Sequence, residues 1–344
     1  MKALVLQEKK KLAVQDIDLD EHLGSDDVRI QIKHVGICGS DVHYYLHGRI
    51  GDFVVEKPMV LGHEASGIVV EAGRNVTHLH VGDRVCMEPG IPTAGSAATF
   101  SGLYNLDPAV KFWATPPVHG CMRETVVHPA AFTFKLPDAV SLEEGALVEP
   151  VAIGVYSAAT AGIQPGDTAL VFGAGTMGIV TTLAALASGC SHVILADVKK
   201  KKLQLVRQNF PGNITCVESS PAAVHEAVFS RVPEGVDIVF EASGSPQVTS
   251  TFVSYLRPNG RAVMIGMPQG PAPFDVVAAQ VKEIRILHIF RYRNVYPRTI
   301  KLIASGTLKV KPLITHFFDF AEVLAAFQFA STMPEDAIKT MVRM

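Results

Sequence analysis

The sequence predicts a two-domain α/β protein in which a doubly wound parallel-sheet domain is inserted into an irregular antiparallel β domain. The first 150 or so residues are short strand-like segments separated by glycine and proline. From about residue 151, strand-like and helix-like segments alternate, which is typical of βαβ units around a covered parallel sheet. The alternation stops near residue 291, where we expect the chain to return to the first domain. We therefore predict domains at 1–150 plus 291–344 and at 151–290.

The individual elements follow from local patterns. In the first domain, strands are predicted at residues 2–6, 27–35, 66–72 and 84–88, with turns at 73–75 and 82–83. The second domain begins with a predicted helix at 151–161 and a turn at 164–167. Its predicted strands are 168–172, 192–196, 236–241, 261–265 and 284–290, and helices are predicted between them at 176–187 and 200–209.

Composition and charge exclude several classes of protein. Of 344 residues, 48% are hydrophobic and 19% are charged, which suits a compact globular protein. The formal net charge of −2 provides no field for nucleic acid or an anionic membrane. The N-terminal segment turns polar at Gln7, unlike a signal peptide, and no apolar run approaches the length of a membrane span. Five scattered cysteines suit a reducing compartment, so we expect a cytoplasmic protein.

A glycine-rich turn predicts a dinucleotide site. The strand at 168–172 leads directly into Gly173-Ala174-Gly175-Thr176-Met177-Gly178, a G-x-G-x-x-G pattern that precedes a predicted helix. Gly173 permits the tight turn, Gly175 lets the backbone approach a pyrophosphate, and Gly178 lets helix and strand pack closely. The start of the helix offers N–H groups and a positive dipole to the phosphates.

Asp197 favours NAD over NADP. It ends the second predicted strand about 20 residues after the glycines, where a carboxylate holds the adenosine ribose hydroxyls and repels a 2′-phosphate. An alternative role is a helix N-cap ahead of the basic run at 199–202, and the two roles are compatible. The positive charge of the lysines in that run could partly offset the repulsion of a 2′-phosphate.

Cysteine, histidine and glutamate occur close together in the N-terminal part. Cys38 lies in the segment 36–43, and His63 and Glu64 lie in the segment 61–67. Thiolate, imidazole and carboxylate are ligands that zinc prefers, and a catalytic zinc uses three of them with one position open. Taken singly, Cys38 is better explained as a buried small hydrophobe and His63 as a satisfied core histidine.

The chain resembles the zinc-containing medium-chain alcohol dehydrogenases, and within them the polyol branch of sorbitol and xylitol dehydrogenases, over essentially its whole length. The segments that carry the resemblance are 38–44, 48–51, 57–67, 114–117, 144–150 and 290–292. It implies a Rossmann domain inserted in a GroES-like catalytic domain, with NAD and one catalytic zinc as cofactors. It also implies a homotetramer, for which the strand at 285–290 is the candidate pairing edge.

The resemblance implies that Cys38 and His63 bind zinc, with Glu64 or Glu149 as the third ligand. Sequence leaves the choice between the two glutamates open. Asp41 matches the carboxylate that orients the histidine ligand in the family.

Many relatives carry a second, structural zinc on a lobe with four cysteines spaced C-x2-C-x2-C-x7-C. The matching positions here are Thr93, Ser96, Thr99 and Asp107. We therefore predict that the structural zinc is absent. Hydrogen bonds, packing or a neighbouring subunit would then have to hold the lobe at 93–107.

The resemblance also implies the remaining roles. Zinc would lower the pKa of a secondary hydroxyl of a small-molecule polyol, and hydride would pass to the nicotinamide. Ser40 and His43 are the expected proton relay, with Glu149 as a competing acceptor, although His43 could instead be a surface histidine. The predicted substrate pocket, which must hydrogen-bond several hydroxyls, consists of Tyr44, Phe112, Thr115, Glu149, Arg291 and Tyr292. Besides the glycines and Asp197, the predicted cofactor contacts are Met177, Lys202, Ile265, Gly266, Met267, Ile289, Phe290 and Arg291.

Two other interpretations compete with a polyol dehydrogenase. A zinc alcohol or threonine-type dehydrogenase would need a mostly apolar pocket or a partner for an amine. A metal-free dinucleotide-binding relative would be expected to have lost Cys38, His63 or Glu64, and all three are present.

Overall fold

The computed structural model describes residues 1–19, 21–268, 270–332 and 334–344. Its contacts divide the chain into two compact units. The first unit contains Met1–Glu149, Tyr296–Gly306 and Leu313–Met344, and the second contains Pro150–Val295 and Thr307–Pro312. The functional domain limits at residues 150 and 291 stay a prediction.

The described residues contain twenty strands and twelve α-helices, which are numbered in chain order. The strands that precede the second unit are β1 Lys2–Glu8, β2 Lys11–Asp16, β3 Asp27–Ile37, β4 Arg49–Ile50, β5 Phe53–Val54, β6 Met59–Val60, β7 Glu64–Ala72, β8 Arg84–Met87, β9 Gly90–Ile91, β10 Lys111–Phe112, β11 Thr125–Pro129 and β12 Thr133–Lys135. The later strands are β13 Thr168–Phe172, β14 His192–Asp197, β15 Ile214–Glu218, β16 Val236–Glu241, β17 Leu256–Met264, β18 Arg285–His288, β19 Ile314–Asp319 and β20 Lys339–Arg343. The α-helices are α1 Gly39–His47, α2 Ala97–Phe100, α3 Leu142–Ala146, α4 Val148–Ala161, α5 Thr176–Ala187, α6 Lys200–Asn209, α7 Pro221–Phe229, α8 Pro246–Thr249, α9 Phe252–Tyr255, α10 Val276–Val281, α11 Tyr296–Ala304 and α12 Val323–Ser331.

The first unit is organised around a mostly antiparallel sheet. Its strand order is β12-β8-β7-β3-β20-β19, and β11 also pairs with β3. Along β3, Val28, Ile30 and Ile32 alternate with more exposed residues, because successive side chains of a strand point to opposite faces. A smaller sheet of order β2-β1-β6 adds apolar residues of β1 to the same core. The predicted antiparallel β architecture is confirmed.

The second unit contains a parallel sheet of order β15-β14-β13-β16-β17-β18. Every residue of β13 is buried, as expected for a central strand covered on both faces. The chain proceeds outwards from β13 to β15 and then restarts at β16 on the other side of β13. The carboxyl ends of β13 and β16 therefore flank the crevice in which doubly wound folds bind ligands. The predicted doubly wound architecture is also confirmed.

Some element limits differ from the sequence-based expectation. Strand β15 was not predicted, because it is short, lies at the sheet edge and has just one buried side chain, that of Cys216. Strand β17 begins at Leu256 rather than at residue 261, and its pairing with β16 includes a register shift that no apolar periodicity reveals.

Within the described residues, no helix has both the length and the apolar character that a bilayer crossing requires.

His128 on β11 is expected to make stability depend on pH. The side chain is fully buried, its Nε2 lies 2.9 Å from the carbonyl oxygen of Glu88, and its ring packs 4.6 Å from that of Trp113. Burial lowers the pKa of His128 from 6.5 to about 4, although backbone hydrogen bonds partly oppose the shift. Below pH 6.5 the unfolded chain therefore takes up a proton that the folded chain does not. The free energy of unfolding should fall by up to about 3 kcal/mol as the pH drops from 6.5 towards 4.

Urea unfolding between pH 7 and pH 4.5 checks this expectation. The variant His128→Gln serves as control, because its amide can donate to the Glu88 carbonyl but does not titrate. Its stability should depend less steeply on pH than that of the wild type. Equal pH dependence in the two proteins would show that His128 is not the responsible group.

Candidate active site

Cys38, His63 and Glu64 come together in the first unit. Cys38 precedes α1, whereas His63 directly precedes Glu64, the first residue of β7. One ligand atom from each residue lies within 4.8 Å of the others. His63 and Glu64 are buried, and Cys38 is half-buried. A compact set of sulfur, nitrogen and oxygen donors matches the ligand chemistry of a catalytic zinc, so these residues fit the metal that the sequence predicts.

Asp41 lies beside His63 at ion-pair distance. Its fully buried carboxylate accepts hydrogen bonds from the backbone N–H groups of Gly62 at 3.0 Å and Cys38 at 3.1 Å. Asp41 Oδ1 lies 3.5 Å from His63 Nδ1, an ion-pair distance at which Nδ1 has no well-formed hydrogen bond. Burial lowers the pKa of His63, but Asp41 and the Cys38 sulfur outweigh burial and raise the pKa overall. Since a ligating imidazole is neutral, metal binding would displace that proton.

A buried lysine holds Glu64. Lys339 on β20 donates from Nζ to the two carboxylate oxygens of Glu64 at 2.7 and 2.8 Å, and to the carbonyl oxygen of Ile37 at 3.2 Å. Burial lowers the pKa of Lys339, but the charges of Glu64 and Cys38 outweigh burial, so the pKa is raised. Lys339 was not predicted as a site residue. The available signal was weak, because Lys339 is the first residue of a short strand that also contains Thr340 and Arg343.

Glu149 lies in a neighbouring pair of carboxylates rather than in the Cys38–His63–Glu64 group. It is buried in the first turn of α4 and interacts electrostatically with Lys339 and with Glu88. Burial raises the pKa of Glu88 to about 7, and the charge of Glu149 adds to this shift. Glu88 also accepts a hydrogen bond from the Tyr104 hydroxyl at 2.6 Å. Sequence reasoning missed Glu88, and which glutamate completes the metal site stays a prediction.

The predicted relay and several pocket residues also lie in the first unit. Ser40 and His43 are half-buried and three residues apart on α1, so they share one side of the helix. Burial lowers the pKa of His43, and nearby His47 lowers it further. Besides Glu149, three predicted pocket residues belong to this unit. Tyr44 is buried, the Phe112 ring lies 5.7 Å from the His63 ring, and the Thr115 N–H donates to the Phe112 carbonyl at 3.1 Å.

Hydrogen bonds close the lobe at 93–107. Asp107 accepts from the backbone N–H groups of Thr93 at 2.6 Å and Ala109 at 3.1 Å, and these bonds hold the pKa of its carboxyl below the ordinary value. The Ser96 hydroxyl donates to the Thr99 hydroxyl at 2.9 Å, which donates to the Thr93 carbonyl at 3.1 Å. The four positions that correspond to the zinc-binding cysteines of relatives are thus connected by one polar network. The absence of a second zinc stays a prediction.

The glycine-rich turn of the second unit has the geometry of a phosphate cradle. Gly175 is the N-cap of α5 and provides no capping side chain, so the first N–H groups of the helix face outwards. A Cβ at Gly175 would meet no atom within 4 Å, which leaves room for a phosphate. A Cβ at Gly178 would collide with the Gly173 carbonyl oxygen, so strand and helix can approach only with glycine there. Met177 is half-buried in the same turn of helix. These features fit a dinucleotide.

Asp197 connects the glycine-rich turn to α6. Its carboxylate accepts from the backbone N–H of Ala174 at 2.6 Å and from that of Lys199 at 2.7 Å. The N-cap of α6 is Lys199, so the suggestion that Asp197 caps this helix is wrong. Lys202 lies in the first turn of α6, half-buried.

The other predicted cofactor residues lie at the carboxyl ends of β17 and β18. A cavity of about 550 Å³ opens there, and the predicted residues that line it are Ile265, Gly266, Met267, Ile289 and Phe290. The guanidinium carbon of Arg291 lies 4.9 Å from the centre of the Phe290 ring. Tyr292, predicted to line the substrate pocket, is almost completely buried in the second unit.

Known proteins resemble the chain over almost its whole length. It matches the alcohol dehydrogenase GroES-like domain over residues 24–138 and the zinc-binding dehydrogenase domain over residues 176–305. A D-xylulose reductase of Morganella morganii is 55% identical over 332 residues, which are 96% of this chain and 98% of the relative. A sorbitol dehydrogenase of Arabidopsis thaliana is 42% identical over 93% of this chain and 89% of its own. The structure of an Escherichia coli oxidoreductase of unknown specificity superposes with a TM-score of 0.92 at 32% identity, covering 99% and 98% of the two chains.

A doubly wound dinucleotide fold together with a cysteine–histidine–glutamate group defines a zinc-binding dehydrogenase. The relatives confirm the resemblance that the sequence motifs carry. The chain belongs to the zinc-containing medium-chain alcohol dehydrogenase family, in its polyol dehydrogenase branch. Zinc and a nicotinamide dinucleotide are accordingly its cofactor types.

Proposed function

We propose that this protein oxidises a sugar alcohol, xylitol or sorbitol, to the 2-ketose with hydride transfer to NAD. The observation that carries the proposal is the Cys38–His63–Glu64 group in a chain 55% identical to a D-xylulose reductase. The relative is named for the reduction of a ketose, and the reverse of that reaction is the oxidation of a sugar alcohol to the ketose. The relative named sorbitol dehydrogenase supports the same substrate class.

The residues around the metal site have separate tasks. Bound zinc supplies a Lewis acid that lowers the pKa of an alcohol hydroxyl and stabilises negative charge. Asp41 is expected to orient His63, and Lys339 holds Glu64, so that donor atoms of both residues stay close to the Cys38 sulfur. His43 is expected to accept the released proton through Ser40, because its lowered pKa favours the neutral imidazole.

Several finer features belong to this proposal. Asp197 is proposed to select NAD over NADP by binding the ribose hydroxyls. The substrate hydroxyls are proposed to contact Tyr44, Glu149, Arg291 and Tyr292, and Phe112 and Thr115 are proposed as walls of the pocket. A cytoplasmic homotetramer with one catalytic zinc per chain is the expected state of the enzyme.

Metal content and substrate range test the proposal together. We expect one zinc per chain and NAD-linked oxidation of pentitols or hexitols that disappears on chelation and returns with zinc. Ethanol and threonine in the same panel test the apolar-pocket and amine-binding alternatives. Two zinc ions per chain would contradict the interpretation of the lobe at 93–107. Activity that is indifferent to chelation would contradict the zinc mechanism.

A further inference from the structure

A buried carboxylate lies at the crevice of the second unit without a cationic partner. Glu241, the last residue of β16, is fully buried, and its neighbours in the sheet are Phe172 on β13 and Met264 on β17. Its carboxylate accepts from the backbone N–H groups of Ser243 at 2.8 Å and Gly244 at 2.9 Å, and from the Ser243 hydroxyl. Across the described parts of the chain, no ion pair to Glu241 is found. Such an arrangement suits an ionised group whose charge is balanced by dipoles alone.

Glu241 also joins three strand ends. Its backbone carbonyl accepts from the N–H groups of Ile265 and Gly266, both at 2.8 Å. A Cβ at Gly266 would lie 2.6 Å from Glu241 Oε2, so glycine is needed for this approach. The next residue, Ala242, donates to the Phe172 carbonyl at 3.0 Å. Backbone hydrogen bonds at Glu241 and Ala242 therefore connect the ends of β13, β16 and β17.

The position of Glu241 relates it to one half of the dinucleotide. In a doubly wound sheet, a dinucleotide lies across the crevice with one mononucleotide on each half. Asp197 at the end of β14 marks the adenosine half, so β16 begins the half that receives the nicotinamide. The oxidised nicotinamide ring carries a positive charge that the reduced ring lacks. A buried negative charge acts on that difference strongly, since the surrounding medium screens it poorly.

We propose that Glu241 is a positioning residue that shapes the nicotinamide half of the site. Its charge raises the affinity for oxidised NAD relative to the affinity for NADH. The proposal rests on the proposed function, because it assumes a nicotinamide dinucleotide as cofactor. Its consequence is a change in the relative affinities for the two forms of the cofactor, in favour of the oxidised form, whereas the overall equilibrium of the reaction is unaffected.

The variant Glu241→Gln tests the charge directly, since glutamine keeps the shape and one acceptor oxygen. Dissociation constants for NAD and NADH are measured on the zinc-loaded protein without substrate, by calorimetry and by NADH fluorescence. The constant for NAD is expected to rise about tenfold more than that for NADH, the size that one partly screened charge produces. Equal changes for both cofactors, or no change for either, would overturn the proposal.

Ser243→Ala is the matched control, because it removes one donor to the carboxylate and keeps the charge. It is expected to leave the ratio of the two dissociation constants within about twofold, since no charge changes. If Glu241→Gln does not fold, Glu241→Asp replaces it. This charged variant should also keep the ratio, and a tenfold shift in it would overturn the proposal. Failure of the wild type to bind NAD at all would instead contradict the proposed function, and this inference with it.

Discussion

The variant Cys38→Ser is expected to lose zinc and to lose at least about 1,000-fold of kcat/KM for polyol oxidation. Serine offers a neutral hydroxyl where zinc prefers a thiolate, and His63 and Glu64 remain as the two other members of the group. A catalytic metal contributes several kcal/mol to stabilisation of the transition state, and about 4 kcal/mol corresponds to that factor. Metal analysis of the purified variant and steady-state kinetics on xylitol and sorbitol measure both effects.

Cys216→Ser provides the control for this experiment. Cys216 is a buried thiol of the edge strand β15, in the unit that does not contain the Cys38–His63–Glu64 group. We expect this variant to keep its zinc and to oxidise polyols at nearly the wild-type rate. Zinc retained by Cys38→Ser, together with activity within about tenfold of the wild type, would remove Cys38 from the ligand set.

The variant Asp197→Ala is expected to lower kcat/KM for NAD about 100-fold and to leave kcat/KM for NADP unchanged or higher. The carboxylate is proposed to bind two ribose hydroxyls, and charge-assisted hydrogen bonds contribute about 1.5–3 kcal/mol each. Its removal also removes the repulsion of a 2′-phosphate. Kinetics with both cofactors at a saturating polyol concentration measure the change in preference.

Asp197→Asn separates cofactor recognition from local structure. The carboxylate also accepts from the Ala174 and Lys199 N–H groups, and asparagine keeps an oxygen that can accept one of these bonds. We expect this variant to keep the fold of the turn and still to lose preference for NAD. An unchanged ratio of NAD to NADP efficiency in both variants would refute the role of Asp197 in selection.

Local patterns explain why the strand and the helix around the glycine-rich turn could be predicted with their limits. Strand β13 and helix α5 have the limits that the sequence predicts, because the glycines and the periodicity that define them lie within about 20 consecutive residues. The helix that begins directly after Cys38 was not predicted.

Long-range contacts explain what could not be predicted. Lys339 and Glu64 are 275 residues apart in sequence and meet because β20 and β7 both pair with β3. The position of Lys339 at the start of a strand does not by itself identify the partner of the lysine. Glu88 and Glu149 likewise come near each other only through the fold, so the effect of Glu149 on the pKa of Glu88 was not accessible from sequence.

The polar lobe also bears on chemical durability. Residues 93–107 contain no thiol, so air oxidation has no sulfur to attack in that segment. Of the five thiols, Cys38 alone is half-buried rather than buried, and burial raises the pKa of Cys86, Cys121, Cys190 and Cys216. Among the five thiols, oxidation should therefore begin at one atom, the Cys38 sulfur. A preparation that has lost its turnover in this way would still be folded, and a thiol reductant with added zinc should restore it while the damage remains at a reversible stage.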